Sequence, residues 1–217
     1  MQLIAVDVGN SATKVAFGFP GSLAIPVGAT AGPSSVRWFG DLSNESAQHS
    51  LQQLLTKLPT EECGWFFSSV HAGRQRELAA WVDRHRPLDR VHLLSAADIP
   101  MKADVECREH VGRDRLLAAL AAWKIYAMPA TEQRASPAIV IDAGTAVTVD
   151  VVYESGCFDG GNIFLGADAV FEQISGRTDE LPQLDYAQRW KHLRTPKQAK
   201  MPIVTSKIEA ILSGVYQ

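Results

Sequence analysis

The same device opens each half of this 217-residue chain: DVGNSATK at Asp7 to Lys14 and DAGTAVTVD at Asp142 to Asp150. In each, an apolar run (Leu3 to Val6; Ala138 to Ile141) ends in Asp, passes through a small residue, Gly and a small polar residue, and enters a second apolar run. That order predicts strand, tight turn, strand. The Asp carboxylate is then fixed at the end of a buried strand, and the Gly permits positive φ and close backbone approach. Asn10 and Ser11 in one copy and Thr145 in the other aim donors at the turn. One such turn has a plain reading, a hairpin whose Asp and Asn satisfy its own backbone. Two copies, each opening half of the chain, point to a nucleotide held between two related domains.

Bulk properties narrow the remaining classes. With 46% apolar and 21% charged residues the chain is expected to fold around a real core. A net charge of −3 with scattered Lys and Arg gives no basic stripe, so nucleic acid is not an expected partner. No charged-then-apolar leader opens the sequence and no apolar run approaches the roughly 18 residues of a membrane span, so a soluble cytoplasmic protein is expected. Cys63, Cys107 and Cys157 lack CxxC spacing, and the six histidines show no HxxxH or HExxH grouping. Idle reduced thiols are expected, with no disulfide framework and no transition metal.

Between the hairpins the pattern becomes an alternation. After the Gly- and Pro-rich stretch Gly18 to Pro33, apolar spacing predicts a helix over Ser46 to Leu58 and a strand over Gly64 to Val70. A second helix over Arg74 to His85 and a strand over Arg90 to Leu94 follow. Such alternation implies sheets covered by helices. The run RDRLLAALAAWKIYAM, Arg113 to Met128, reads as a long helix ended by Pro129, and Ala130 to Pro137 as a linker. Beyond the second hairpin, a Gly160-Gly161 turn leads into a strand-like start at Ile163 that passes into a helix by Ile174. Later helices are expected at Tyr186 to Leu193 and Ser206 to Leu212, around the Pro196 to Pro202 loop.

Asp7, Gly9, Asn10, Ser11 and Lys14 combine a carboxylate able to hold Mg²⁺ through water, backbone donors and a cation, which suits a polyphosphate. Neither turn is a Walker loop or a GxGxxG fingerprint. Gly112, Arg113, Asp114 and Arg115 place two cations and a carboxylate at a helix start, where unpaired N–H groups attract anions. The bland alternative is that Asp114 caps the helix and both arginines are solvated. Yet phosphoryl transfer needs a base for an acceptor hydroxyl and a cation for an acidic acceptor, and this segment holds both types.

In this order the chain carries DVGNSATK, GRDR, DAGTAVTVD, GGNIFLG and IEAILSG. The ordered set, from Met1 to about Gly214, resembles the type III pantothenate kinases, with their DxGNTxxK, GxDR, DxGTAxTxD and GGxIxPG motifs and a late SG-ended helix. The resemblance implies an α/β fold of the acetate and sugar kinase/actin-like superfamily: two related ribonuclease H-like domains, mixed sheets flanked by helices, here over residues 1–115 and 116–217. It implies ATP-dependent phosphorylation of pantothenate to 4′-phosphopantothenate, the first step of coenzyme A biosynthesis, in a cytoplasmic homodimer. Asp7, Val8, Gly9, Asn10, Ser11, Ala12, Thr13 and Lys14 would bind the ATP phosphates, with Asp7 near Mg²⁺. Gly112, Arg113, Asp114 and Arg115 would line the pantothenate pocket, with Asp114 as proton acceptor and Arg115 facing the substrate carboxylate. Asp142 matches the site of the monovalent cation, K⁺ or NH₄⁺, and Thr145 an ATP contact.

The chain departs from the family pattern at several places. Ser11 replaces Thr, Leu165 replaces the proline of GGxIxPG, Arg108 stands where a proline often precedes GxDR, Val105 stands at a common Tyr, and Lys207 at a substrate-binding Thr. Family members also continue past the SG-ended helix, so the expectation is either a protein longer than these 217 residues or a second domain that lacks a final strand and closing helices. Two rivals follow from these departures: a non-catalytic relative that keeps the fold, and a kinase for another small hydroxy acid.

Overall fold

The computed structural model describes residues 2–10, 13–18, 36–41, 53–56, 58, 60–124, 136–166, 169–170 and 173. Ser11, Ala12, Lys207 and the helices expected beyond residue 174 lie outside them. Two sheets form the frame. The first has the order β3-β2-β1-β4-β5, from β1 (Gln2–Val8), β2 (Thr13–Gly18), β3 (Val36–Asp41), β4 (Cys63–Ser69) and β5 (Arg90–Leu93). The β1–β2 and β2–β3 pairs are antiparallel, whereas β1–β4 and β4–β5 are parallel. The second has the order β6-β9-β8-β7, from β6 (Lys102–Ala103), β7 (Ala138–Ala143), β8 (Ala146–Val152) and β9 (Cys157–Leu165). Its β6–β9 pair is parallel and the others are antiparallel. The expected mixed α/β architecture, two mixed sheets flanked by helices, is what the chain forms.

β1 and β4 are apolar through their middles, Leu3 to Val6 and Trp65 to Phe67, because both faces of their sheet are covered. On one face Ile4, Val6, Trp65 and Phe67 meet Leu78 and Val82 of α1 (Ala72–His85). On the other Leu3, Ala5, Ala16 and Phe66 meet α2 (Arg113–Ala122). α2 carries six consecutive buried residues, Leu116 to Ala121, because Val140, Val152 and Phe158 of the second sheet join the same core. A helix buried all round reads as uniformly apolar, as this one does. It gives way to a π turn at residues 123–124, where Trp123 Nε1 donates to the Glu154 carbonyl at 2.9 Å.

Asp89 fastens α1 to β4. Its carboxylate accepts from the Cys63 N–H at 3.1 Å, Trp65 Nε1 at 2.8 Å and the Arg86 guanidinium at 2.8 and 3.0 Å. Burial, and then Asp89, push the Cys63 thiol up, which keeps it an inert thiol. Arg108 has a comparable role: its guanidinium donates to the carbonyls of Ala96, Ile99 and Met101, gathering the segment that leads into β6.

Two local expectations change. Gly160 and Gly161 form no turn. They lie within β9, in a bulge where Asp150 pairs with Gly161 and Val152 with Phe158. Positive φ occurs, among the described residues, at Gly156 and Gly160 and at neither Gly9 nor Gly144. The glycines of the Asp-x-Gly turns are therefore not the left-handed ones.

Candidate active site

Both repeated segments are hairpins, as expected, and each leaves its Asp at a strand end. Asp7 lies opposite Lys14 on β2 and Ser68 on β4. Directly paired residues share a face, so the carboxylate, the ammonium and the hydroxyl project together beyond Ala5, Ala16 and Phe66. The Gly9 carbonyl, at the turn, accepts from Arg74 Nη1 at 3.2 Å, which ties the hairpin to the first turn of α1. Val8 and Thr13 pair on the opposite face, while Asn10 is exposed.

The carboxyl ends of β1 and β4 are parallel neighbours, and in α/β sheets that edge is where ligands bind. Two hydroxyls there, Thr13 Oγ1 and Ser68 Oγ, are buried and have no hydrogen-bond partner among the described residues. Buried polar atoms in folded proteins are nearly always paired, so orphans flanking an acidic strand end fit a site completed by a bound group. Ser68 shares its face with Asp7 and Lys14, and that donor set suits a phosphate tail and Mg²⁺, while Thr13 lies on the opposite face.

The GRDR segment is brought to this same edge. Arg113 donates from Nη1 to the Leu94 carbonyl at 2.9 Å and from Nη2 to the Ser69 carbonyl. It thus clamps the start of α2 across the ends of β4 and β5. Gly112 precedes the helix, and a Cβ there would collide with Asp114 Oδ1. Glycine therefore leaves room for the carboxylate. Asp114 Oδ1 accepts the Arg115 N–H at 3.0 Å, and Oδ2 has no partner among the described residues. One oxygen is held and the other is open.

Arg115 turns the other way. Its Nε lies 3.1 and 3.2 Å from the two oxygens of Asp150, and its Nη2 also donates to Oδ1. The guanidinium carbon sits 5.7 Å from the centre of the Phe158 ring. Neither arginine is the solvated side chain of the bland reading. The one tetrapeptide is fastened to the first sheet through Arg113 and to the second through Arg115.

Asp142, half-buried, lies opposite Thr148 on the same face as Asp150. Thr145, exposed at the turn, accepts the Gly166 N–H at 3.0 Å through its carbonyl. A Cβ on Gly166 would reach within 2.5 Å of that carbonyl oxygen and 2.8 Å of the Thr145 carbonyl carbon. The last glycine of GGNIFLG is thus packed against the DAGT turn. No group of three or more His, Cys, Asp or Glu able to hold a metal occurs among the described residues. No helix among the described residues is long and apolar enough to cross a membrane.

Sequence reasoning assigned no role to Asp150, Ser68 or Arg74. A signal existed for Asp150, because period two along the second strand puts it on the Asp142 face. None existed for Arg74, whose partner is 65 residues away.

A family model described as type III pantothenate kinase matches residues 3–217. A type III pantothenate kinase of Rhodopirellula baltica is 34% identical over 204 residues, 86% of this chain and 70% of that protein. One of Persephonella marina is 31% identical over 118 residues, 54% of this chain and 39% of that protein. One of a Sulfurihydrogenibium strain is 25% identical over 220 residues, 99% of this chain and 77% of that protein. The matched stretch thus takes in between 39% and 77% of these three relatives' lengths.

Proposed function

Because the chain belongs to the type III pantothenate kinase family, we propose that it transfers the γ-phosphoryl group of ATP to the primary hydroxyl of pantothenate, giving 4′-phosphopantothenate, the first step towards coenzyme A. The observation that supports the reading is the Arg113 clamp, whose hydrogen bonds to the Leu94 and Ser69 carbonyls hold the start of the GRDR helix against the strand ends next to Ser68, the register partner of Asp7. A kinase needs its base and its phosphate cradle at one edge, and little else from the protein, since phosphoryl transfer is mostly positioning and charge stabilisation.

In this reading the β1–β2 hairpin, Asp7 to Lys14, cradles the ATP phosphates. Asp7 holds Mg²⁺ through water and Asp142 a monovalent cation, K⁺ or NH₄⁺; when bound, these ions neutralise phosphate charge. Thr145 contacts the nucleotide from the second sheet. The open Oδ2 of Asp114 takes the proton of the acceptor hydroxyl, late in a loose transition state. Gly112 and the arginines shape the acceptor pocket. The same reading makes the enzyme a cytoplasmic homodimer.

Coupled ATP consumption, measured with and without pantothenate in K⁺ buffer, tests it. Turnover is expected only with pantothenate present. ATP hydrolysis indifferent to pantothenate, or no turnover with it, overturns the proposal, and turnover with a different hydroxy acid alone redirects it.

A further inference from the structure

We infer that Asp150 is a positioning residue for the acceptor: it grips one side of the Arg115 guanidinium so that the remaining nitrogen, Nη1, is presented to the acceptor's carboxylate. The inference rests on the function proposed above and adds a residue to its site.

Four features of the pair argue for this. First, the grip is two-pronged, through Nε and Nη2, which fixes the plane of the fork as a single contact cannot. Second, Nη1 has no partner among the described residues, although the Arg115 side chain is only 14% exposed. A guanidinium has donors on all three nitrogens, so an idle, largely sheltered Nη1 is donor capacity held in reserve. Third, the surroundings are cut to the pair. The Phe158 ring lies beneath the guanidinium, and at Gly161 a Cβ, stopped first by the Val149 carbonyl, would also come within 2.7 Å of Asp150 Oδ1. The β8–β9 bulge sets that glycine opposite Asp150. Fourth, the Asp150 side chain is 1% exposed. A buried ion pair is a poor way to gain stability, since apolar side chains of similar volume commonly hold a core as well. A tie between helix and sheet alone would not call for charge, whereas an aimed cation beside a base is of use to an anion.

The position in sequence strengthens the argument. Arg115 follows Asp114, whose Oδ1 accepts the Arg115 N–H. Whatever fixes the Arg115 side chain also fixes the peptide that orients the base. Asp150 therefore acts on the acceptor through Arg115 and touches no reacting atom itself.

The experiment is steady-state kinetics on the full chain, varying pantothenate and ATP separately, with thermal melts alongside. Asp150→Asn replaces one acceptor oxygen by an NH₂ group that faces the guanidinium and opens the fork. The expected result is a pantothenate KM raised at least about tenfold with the ATP KM within twofold. A second variant, Arg115→Met with Asp150→Leu, separates positioning from packing. It is expected to melt within a few degrees of the wild type while its pantothenate KM stays raised, and it carries the test if Asp150→Asn does not fold. Equal changes in both KM values, an unchanged pantothenate KM in Asp150→Asn, or a normal one in the double variant overturns the inference alone. A wild type that does not turn over pantothenate overturns the proposed function and this inference with it.

Discussion

The two hairpins share a sequence device and part company in their surroundings. In β1 every residue from Gln2 to Val8 is buried except Asp7, which is half-buried. In β7 only Val140 is buried, while Ile139 and Ile141 are 69% and 51% exposed. Strand order explains the contrast. β1 is central in its sheet with a helix-borne core on either face, whereas β7 is, among the described residues, an edge strand of the order β6-β9-β8-β7. The motif sets the turn and delivers a carboxylate to a strand end; the neighbours set the dielectric around it. One Asp sits beside the orphan Ser68 hydroxyl and opposite Lys14, the other on a more open strand.

The largest effect is expected outside both hairpins, at the segment that bridges them. Asp114→Asn should lower turnover by about 10²–10⁴, the usual range for loss of a general base, with the melting curve and nucleotide binding nearly unchanged. Near-normal turnover would remove Asp114 from its role and leave the bridge without chemistry. Next come the two copies compared directly. Asp7→Asn should lower activity about tenfold or more and shift its dependence on Mg²⁺, while Asp142→Asn should flatten its dependence on K⁺. If both variants answer to the same ion, the division of labour is wrong.

Stability tests the packing half of the contrast. Ile4→Ala in β1 should cost about 2–5 kcal/mol in chemical denaturation, as buried Ile-to-Ala changes do. Ile141→Ala in β7 should stay within about 0.5 kcal/mol. Similar costs at the two sites would mean that the second hairpin is covered in solution. The smallest effect concerns the link between the sheets. The Ser95 hydroxyl, and then its N–H, hold the Asp98 carboxyl below the usual carboxylate range. A lowered value in the folded state means a contribution present above the unfolded value of about 3.9 and lost as pH falls through the folded one. In an NMR titration Ser95→Ala should move the Asp98 midpoint upwards, and no movement would discard the local cap.

What was legible in the sequence was local. The hairpins, α1, β4 and β5 follow from patterns confined to a few residues, and their bounds differ from expectation by one or two positions at most. The GRDR segment was legible as a helix start, yet not as a bridge, because its partners Ser69, Leu94 and Asp150 lie 19 to 44 residues away. Periodicity also could not say that β7 would lie at an edge of the described sheet, since strand order depends on the whole chain. The glycines of the turns misled for a different reason: a residue that permits positive φ need not adopt it, and the left-handed backbone appears at Gly156 and Gly160 instead.

The seat of Gly166 against the DAGT turn has a consequence for how this protein tolerates change. A side chain there has nowhere to go except into the backbone of Gly144 and Thr145, and backbone cannot rotate aside as a lysine tail can. In a library randomised at codon 166, survivors should be glycine almost without exception, whereas at codon 144, where a Cβ would meet nothing nearer than 3.9 Å, alanine should pass. A selection for soluble folded protein would thus read out the closure of the second hairpin with no substrate present.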